Sequence, residues 1–78
     1  MVHELKILPQ YFEEVKNGNK TFELRKDNRD YKVGDTLRLL ETENEQYTGR
    51  ECNKTIVYIL KDVEKYGLMK GFVILAMK

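Results

Sequence analysis

The chain has 78 residues, of which 41% are hydrophobic and 35% charged, and its formal net charge is +1. That length fits one domain with a small core, and the composition is too apolar for a disordered chain. There is no apolar run of the ~18 residues needed to span a bilayer, no zinc-type Cys/His spacing and no possible internal disulfide, because Cys52 stands alone. A near-neutral charge gives no bulk electrostatic case for nucleic-acid binding, so any such case rests on local distribution.

Residues 3–8 predict a first strand, with His3, Leu5 and Ile7 on one face and Glu4 and Lys6 on the other. Pro9 suits the first turn of a helix, where its missing N–H would be unpaired anyway. A short helix is expected over 9–17, with Tyr11, Phe12 and Val15 on its apolar side and Leu8 stapled against Phe12. Gly18 is the expected left-handed stop. So short a helix needs a sheet to dock on.

A second strand follows over 20–25. Alternation predicts that Phe22 and Leu24 enter the core, while Thr21, Glu23 and Arg25 form a polar row on the opposite face. Residues 26–30 read as a turn-rich loop. Gly34 sits where a positive φ is expected, just ahead of a third strand over 36–43. A polar loop is predicted over 44–49. The fourth strand, 50–61, is apolar on both faces through Ile56 to Leu60, the pattern of a strand covered on both sides. A connection over 62–70 leads to a last strand over 71–77. No crossover helices are available for a doubly wound sheet. The expected fold is therefore α+β and mainly β: a single domain over 1–78, a five-stranded, partly open barrel with one short N-terminal helix at its end.

The runs His3-Glu4-Leu5-Lys6, Gly18 to Lys26, Arg29 to Asp35 and Tyr47 to Arg50 cover nearly the whole chain. Their pattern, H-E-L-K, G-x-K-T-F-E-x-R-K, R-D-aromatic-x-V-G-D and Y-T-G-R, resembles the ASCH (activating signal cointegrator homology) branch of the PUA-like superfamily. Within that branch it is most similar to a small bacterial and phage family without an assigned activity. The resemblance implies a β-barrel with a cleft beside the G-x-K loop, and RNA binding as the usual inferred role. Some relatives are small amidohydrolases acting on acylated nucleosides. They use a lysine that matches Lys20, an acid from a later segment, and a threonine where this chain has Glu23.

Taken from the residues themselves, Thr21, Glu23 and Arg25 read as a solvated strand face, and the resemblance turns that face toward a pocket. Arg25 then clamps a phosphate or carboxylate, Lys20 donates to an oxygen or serves as a base, and Glu23 holds a base amino group. Lys20 and Glu23 are the reacting pair if the chain is an enzyme. Lys26 and Arg29 are expected to meet a phosphate backbone. Tyr47 is the best stacking aromatic, with Arg50 as its phosphate partner, while Tyr58 and Phe72 are expected in the core. His3 reads as structural and Cys52 as a small, partly buried residue. The reading is an RNA-binding or modified-nucleotide-binding domain. Its alternatives are a nucleoside amidohydrolase and a regulatory protein-interaction module. No cofactor, metal or membrane partner is expected, and the lone cysteine with no leader ahead of the fold suggests the cytoplasm.

Overall fold

The computed structural model describes residues 1–78. Its elements are β1 (Val2–Ile7), α1 (Pro9–Lys16), β2 (Phe22–Lys26), β3 (Thr36–Glu43), β4 (Gln46–Leu60), a 3₁₀ turn (Glu64–Tyr66) and β5 (Phe72–Met77). The fold is α+β and mainly β: one five-stranded mixed sheet in the order β1-β3-β4-β5-β2. Only β1 and β3 run parallel; every other pair is antiparallel. The sheet curls but does not close.

The core is drawn from alternate positions of the strands. Leu5 and Ile7 of β1, Leu37 and Leu39 of β3, Ile56 of β4, and Val73, Leu75 and Met77 of β5 are buried together with Phe12 and Val15 of α1. The helix thus docks by two side chains on β3 and β4, as its length requires. It ends at Gly18, φ +83°, whose N–H bonds the Val15 carbonyl at 3.1 Å. Leu8 is exposed and forms no staple; instead its carbonyl accepts from the N–H groups of Tyr11 and Phe12.

Three expectations are corrected. First, β2 is turned over. Glu23 is 3% exposed and faces inward, whereas Phe22 and Leu24 are 47% and 56% exposed. Their cross-strand neighbours explain this: Phe22 aligns with Ala76 and Tyr58, and Leu24 with Ile74 and Leu60, so these residues share an outward apolar face. Second, β4 is not covered on both sides. A register shift between Ile56 and Tyr58 changes the alternation, and Tyr58, expected in the core, is 62% exposed. Third, Gln46 to Gly49 belong to β4 rather than to a loop. The β3–β4 hairpin turns on Asn44 and Glu45 alone, both with positive φ (52° and 65°), the backbone of a tight two-residue turn.

The open side lies between the two edge strands, β1 and β2. The carbonyls of Glu4 and Lys6 point away from β3 and would be unpaired there. Arginine side chains take them instead: Arg25 Nη2 donates to Lys6 at 2.7 Å and Arg29 Nη1 to Glu4 at 2.9 Å. The seam is therefore latched by guanidinium groups where strand hydrogen bonds stop.

Candidate functional site

A cleft of about 670 Å³ opens at this seam. Lys6, Ile7 and Leu8 form one wall, Tyr11 and Glu14 of α1 the roof, and Asn19 to Arg25 the other wall, with the omission of Thr21. The turn at Gly18 sends the chain back along α1, so that Lys20 enters the cleft beside the helix. Its ammonium lies 5.7 Å from the Tyr11 ring centre and 5.1 Å from that of Phe22. Both rings are about half exposed, so they flank the lysine and leave faces open to the cleft.

Turning β2 over brings Glu23 beneath that lysine. One carboxylate oxygen accepts from Lys20 Nζ, and the other accepts from Arg25 Nε at 3.0 Å and Nη2 at 2.8 Å. Lys20 Nζ also donates to the Phe22 carbonyl at 2.8 Å. One buried carboxylate therefore serves two cations, and the trio keeps one unit of positive charge at the apolar cleft. Such a network is fixed in place because each group has a partner.

A smaller hollow of about 210 Å³ lies on the other side of Arg25, lined by Leu5, Arg25, Lys26, Asn28, Arg29 and Tyr31. Burial raises the Tyr31 hydroxyl pKa above its ordinary value, with Arg29 and Arg25 pulling the other way. His3 fixes the Tyr31 ring, packing against it at 4.7 Å between ring centres. His3 in turn shares a hydrogen with Asp35 across 2.8 Å. That hydrogen bond is the main reason the Asp35 carboxyl sits at about 2, with the Lys32 N–H and the Met1 ammonium adding to it.

The remaining sequence candidates lie elsewhere. Thr21 is exposed outside the cleft, and its carbonyl bonds the Met77 N–H at 2.9 Å. Tyr47 is exposed near the β3–β4 hairpin and lines neither hollow. Arg50 is no phosphate partner for it. Arg50 sits 4.8 Å over the Phe12 ring, bonds both oxygens of buried Glu41 at 3.0 and 2.9 Å, and also pairs with Glu13. Those bonds, led by that from Arg50 and followed by that from Thr48, hold the Glu41 carboxyl at about 2. Arg38 is likewise bound, between Glu51 and Glu4 at 2.5 Å each. Sequence reasoning missed Tyr11 and Phe22 as cleft walls. The usable signal was an aromatic on each side of the Gly18 turn, with Lys20 between them. No Cys, His, Asp and Glu group has metal-binding geometry, and no helix is long and apolar enough to cross a membrane.

These features define a small β domain with a mixed apolar and charged cleft at the seam of an unclosed sheet. The chain belongs to the family described as Domain of unknown function (DUF3850), whose model matches residues 2–77. It is also similar to the "Uncharacterized 12.9 kDa protein in GpA 3'region" of Escherichia phage P2, with 42% identity over 71 residues. That match covers 87% of this chain and 65% of the phage protein, so the chain spans just under two thirds of its relative's length.

Proposed function

We propose that the cleft binds one nucleobase unit, either a modified nucleotide or an unpaired base of RNA. The observation that carries this is the shape and chemistry of one space. A volume of about 670 Å³ falls within the range of small-ligand pockets, and it has aromatic walls and a polar end. A planar heterocycle stacks on Phe22 or Tyr11, the Lys20 ammonium donates to a ring carbonyl, and the Glu23 carboxylate accepts from an exocyclic amine. The ASCH-like run from Gly18 to Lys26 supports the same ligand class. A long electrostatic track for a nucleic-acid strand fits less well, because Arg25, Arg38 and Arg50 already have carboxylate partners. Calorimetric titration with nucleosides and short single-stranded RNA tests the reading. Lys20→Ala is expected to weaken binding about tenfold by removing a charged donor. Equal binding by wild type and Lys20→Ala, or none by wild type, overturns it and leaves the interaction-module reading.

One observation favours a hydrolytic second reading: Lys20 and Glu23 are in direct hydrogen-bond contact at the cleft wall. In that chemistry water adds to the acyl carbon of an N-acylated nucleoside, the C–N bond breaks, and the amine takes the proton. The pair is placed to relay that proton. Chromatographic detection of the free nucleoside, lost in both Lys20→Ala and Glu23→Gln, is the result expected of this reading. No product from a panel of N-acylated nucleosides ends it.

A further inference from the structure

We propose that the smaller hollow behind Arg25 is a phosphate subsite. Tyr31 carries the argument. It is 6% exposed, yet no protein group hydrogen-bonds its hydroxyl. No buried polar side-chain atom in the structure lacks a partner, so this unpaired hydroxyl reaches open space, and the hollow is the space that Tyr31 lines. A tyrosine packed this tightly normally satisfies its O–H within the protein. Here the donor is left for something else.

The surrounding groups say what that is. Arg25, Lys26, Arg29 and Asn28 line the same hollow, and no carboxylate does. Asp27 pairs with Lys61 at 3.4 Å, though its charge still reaches the Tyr31 hydroxyl, and Asp30 pairs with Lys32 at 3.4 Å. Arg29 has no acidic partner; its hydrogen bond goes to the neutral Glu4 carbonyl, which orients the guanidinium without cancelling its charge. Arg25 is oriented in the same way by the Lys6 carbonyl, and its one carboxylate is shared with Lys20. Two guanidinium groups, an ammonium, an amide and a hydroxyl line this hollow, and the only carboxylate bonded to any of them is Glu23, on Arg25, so the set keeps a positive excess suited to a compact, multiply charged oxyanion. The volume of about 210 Å³ is ample for a phosphate group.

Arg25 lines both the hollow and the large cleft. The ligand whose base occupies the cleft therefore carries a phosphate ester that reaches past Arg25. This part of the inference rests on the nucleobase reading of the cleft, whereas the phosphate subsite stands on Tyr31 and its neighbours alone. A free mononucleotide and an RNA strand offer the same phosphate chemistry.

The test is an NMR titration of the full chain that follows the Tyr31 ring and the Arg25 and Arg29 side-chain N–H signals. Probes are inorganic phosphate, a nucleoside, the matching nucleoside monophosphate and a short single-stranded RNA. Inorganic phosphate is expected to shift the Tyr31 and Arg29 signals saturably. Tyr31→Phe, which removes only the hydroxyl, is expected to weaken phosphate binding about tenfold, and Arg29→Gln at least as much. Lys54→Gln, a lysine on β4 that lines neither hollow, is expected to leave it unchanged. Absence of saturable phosphate shifts, or equal phosphate affinity in Tyr31→Phe, overturns the subsite. Phosphate binding with no gain from an attached nucleoside keeps the subsite and defeats the cleft reading. Nucleoside binding with no gain from its phosphate does the reverse. Tighter binding of the RNA than of the monophosphate assigns the phosphate to a strand.

Discussion

Glu23 and Glu41 are both buried glutamates gripped by an arginine, and they part company in how their charge is balanced. Glu41 shares Arg50 with Glu13, accepts from Thr48 at 2.6 Å, and has Phe12 packed over the guanidinium. Two carboxylates meet one cation there, every group is used, and the cluster ties α1 to the β3–β4 hairpin. At Glu23 the count is reversed: Lys20 and Arg25 share one carboxylate beside an open cleft. A sequence scan cannot separate the two clusters, since both place Glu and Arg two or more positions apart on strands. The difference between scaffold and site lies in the residual charge and in the space beside it.

The largest effect is expected from Glu23→Ala. It leaves Lys20 and Arg25 facing each other across a half-buried gap with no counter-ion, at a cost of about 3 kcal/mol. Urea unfolding measures it. Glu41→Ala is expected to lower the unfolding midpoint less, because Arg50 keeps Glu13 as a partner. If Glu41→Ala proves the more damaging, the Glu23 trio is scaffold as well, and the contrast fails.

Acid titration separates the clusters without touching the cleft. Glu41 titrates at about 2 against an ordinary 4.5, and Asp35 at about 2 against 3.8. Both folded values are depressed, so the stability they contribute is complete above the ordinary values and is lost as pH falls toward 2. Urea midpoints measured from about pH 5 downward are expected to fall across that window. Glu41→Gln is expected to flatten the slope while leaving nucleoside affinity at neutral pH unchanged. A variant that binds more weakly would join Glu41 to the site.

Much of the fold was legible in the sequence because periodicity and turn chemistry are local. The β1 pattern, the Pro9 start, the Gly18 stop and the Gly34 turn each follow from a few neighbouring residues. The facing of β2 was not legible. Alternation sets the period of a strand and leaves open which set of side chains turns inward. Burying Glu23 is tolerable only because Lys20 and Arg25 meet it and because Ala76 and Tyr58 give Phe22 apolar company outside. Lys20 and Arg25 are local, but Tyr58 and Ala76 come from β4 and β5, more than 30 residues away in the chain. Glu41 continues the inward alternation of Leu37 and Leu39, so its facing follows from the period, whereas its partner Arg50 comes from the next strand. The register shift between Leu40 and Thr42 turns Thr42 inward as well, which no alternating pattern foretells. The packing of Tyr31 against His3 joins residues 28 positions apart, so no local pattern announces it.

The smallest stability change is expected from Phe22→Thr, and it bears directly on that turned-over strand. Threonine keeps strand propensity, and the ring it replaces is half exposed, so unfolding is expected to shift by less than about 1 kcal/mol. Ligand affinity is expected to respond far more, since Phe22 forms a wall of the cleft and flanks Lys20 at 5.1 Å. The opposite facing of β2 predicts the opposite result: with Phe22 in the core, its truncation would cost about 3 kcal/mol or more. One variant measured by urea unfolding and by nucleoside titration therefore reads out both the strand's orientation and the ring's role. A large loss of stability would return Phe22 to the core and Glu23 to solvent, and with them the cleft would lose its charged end.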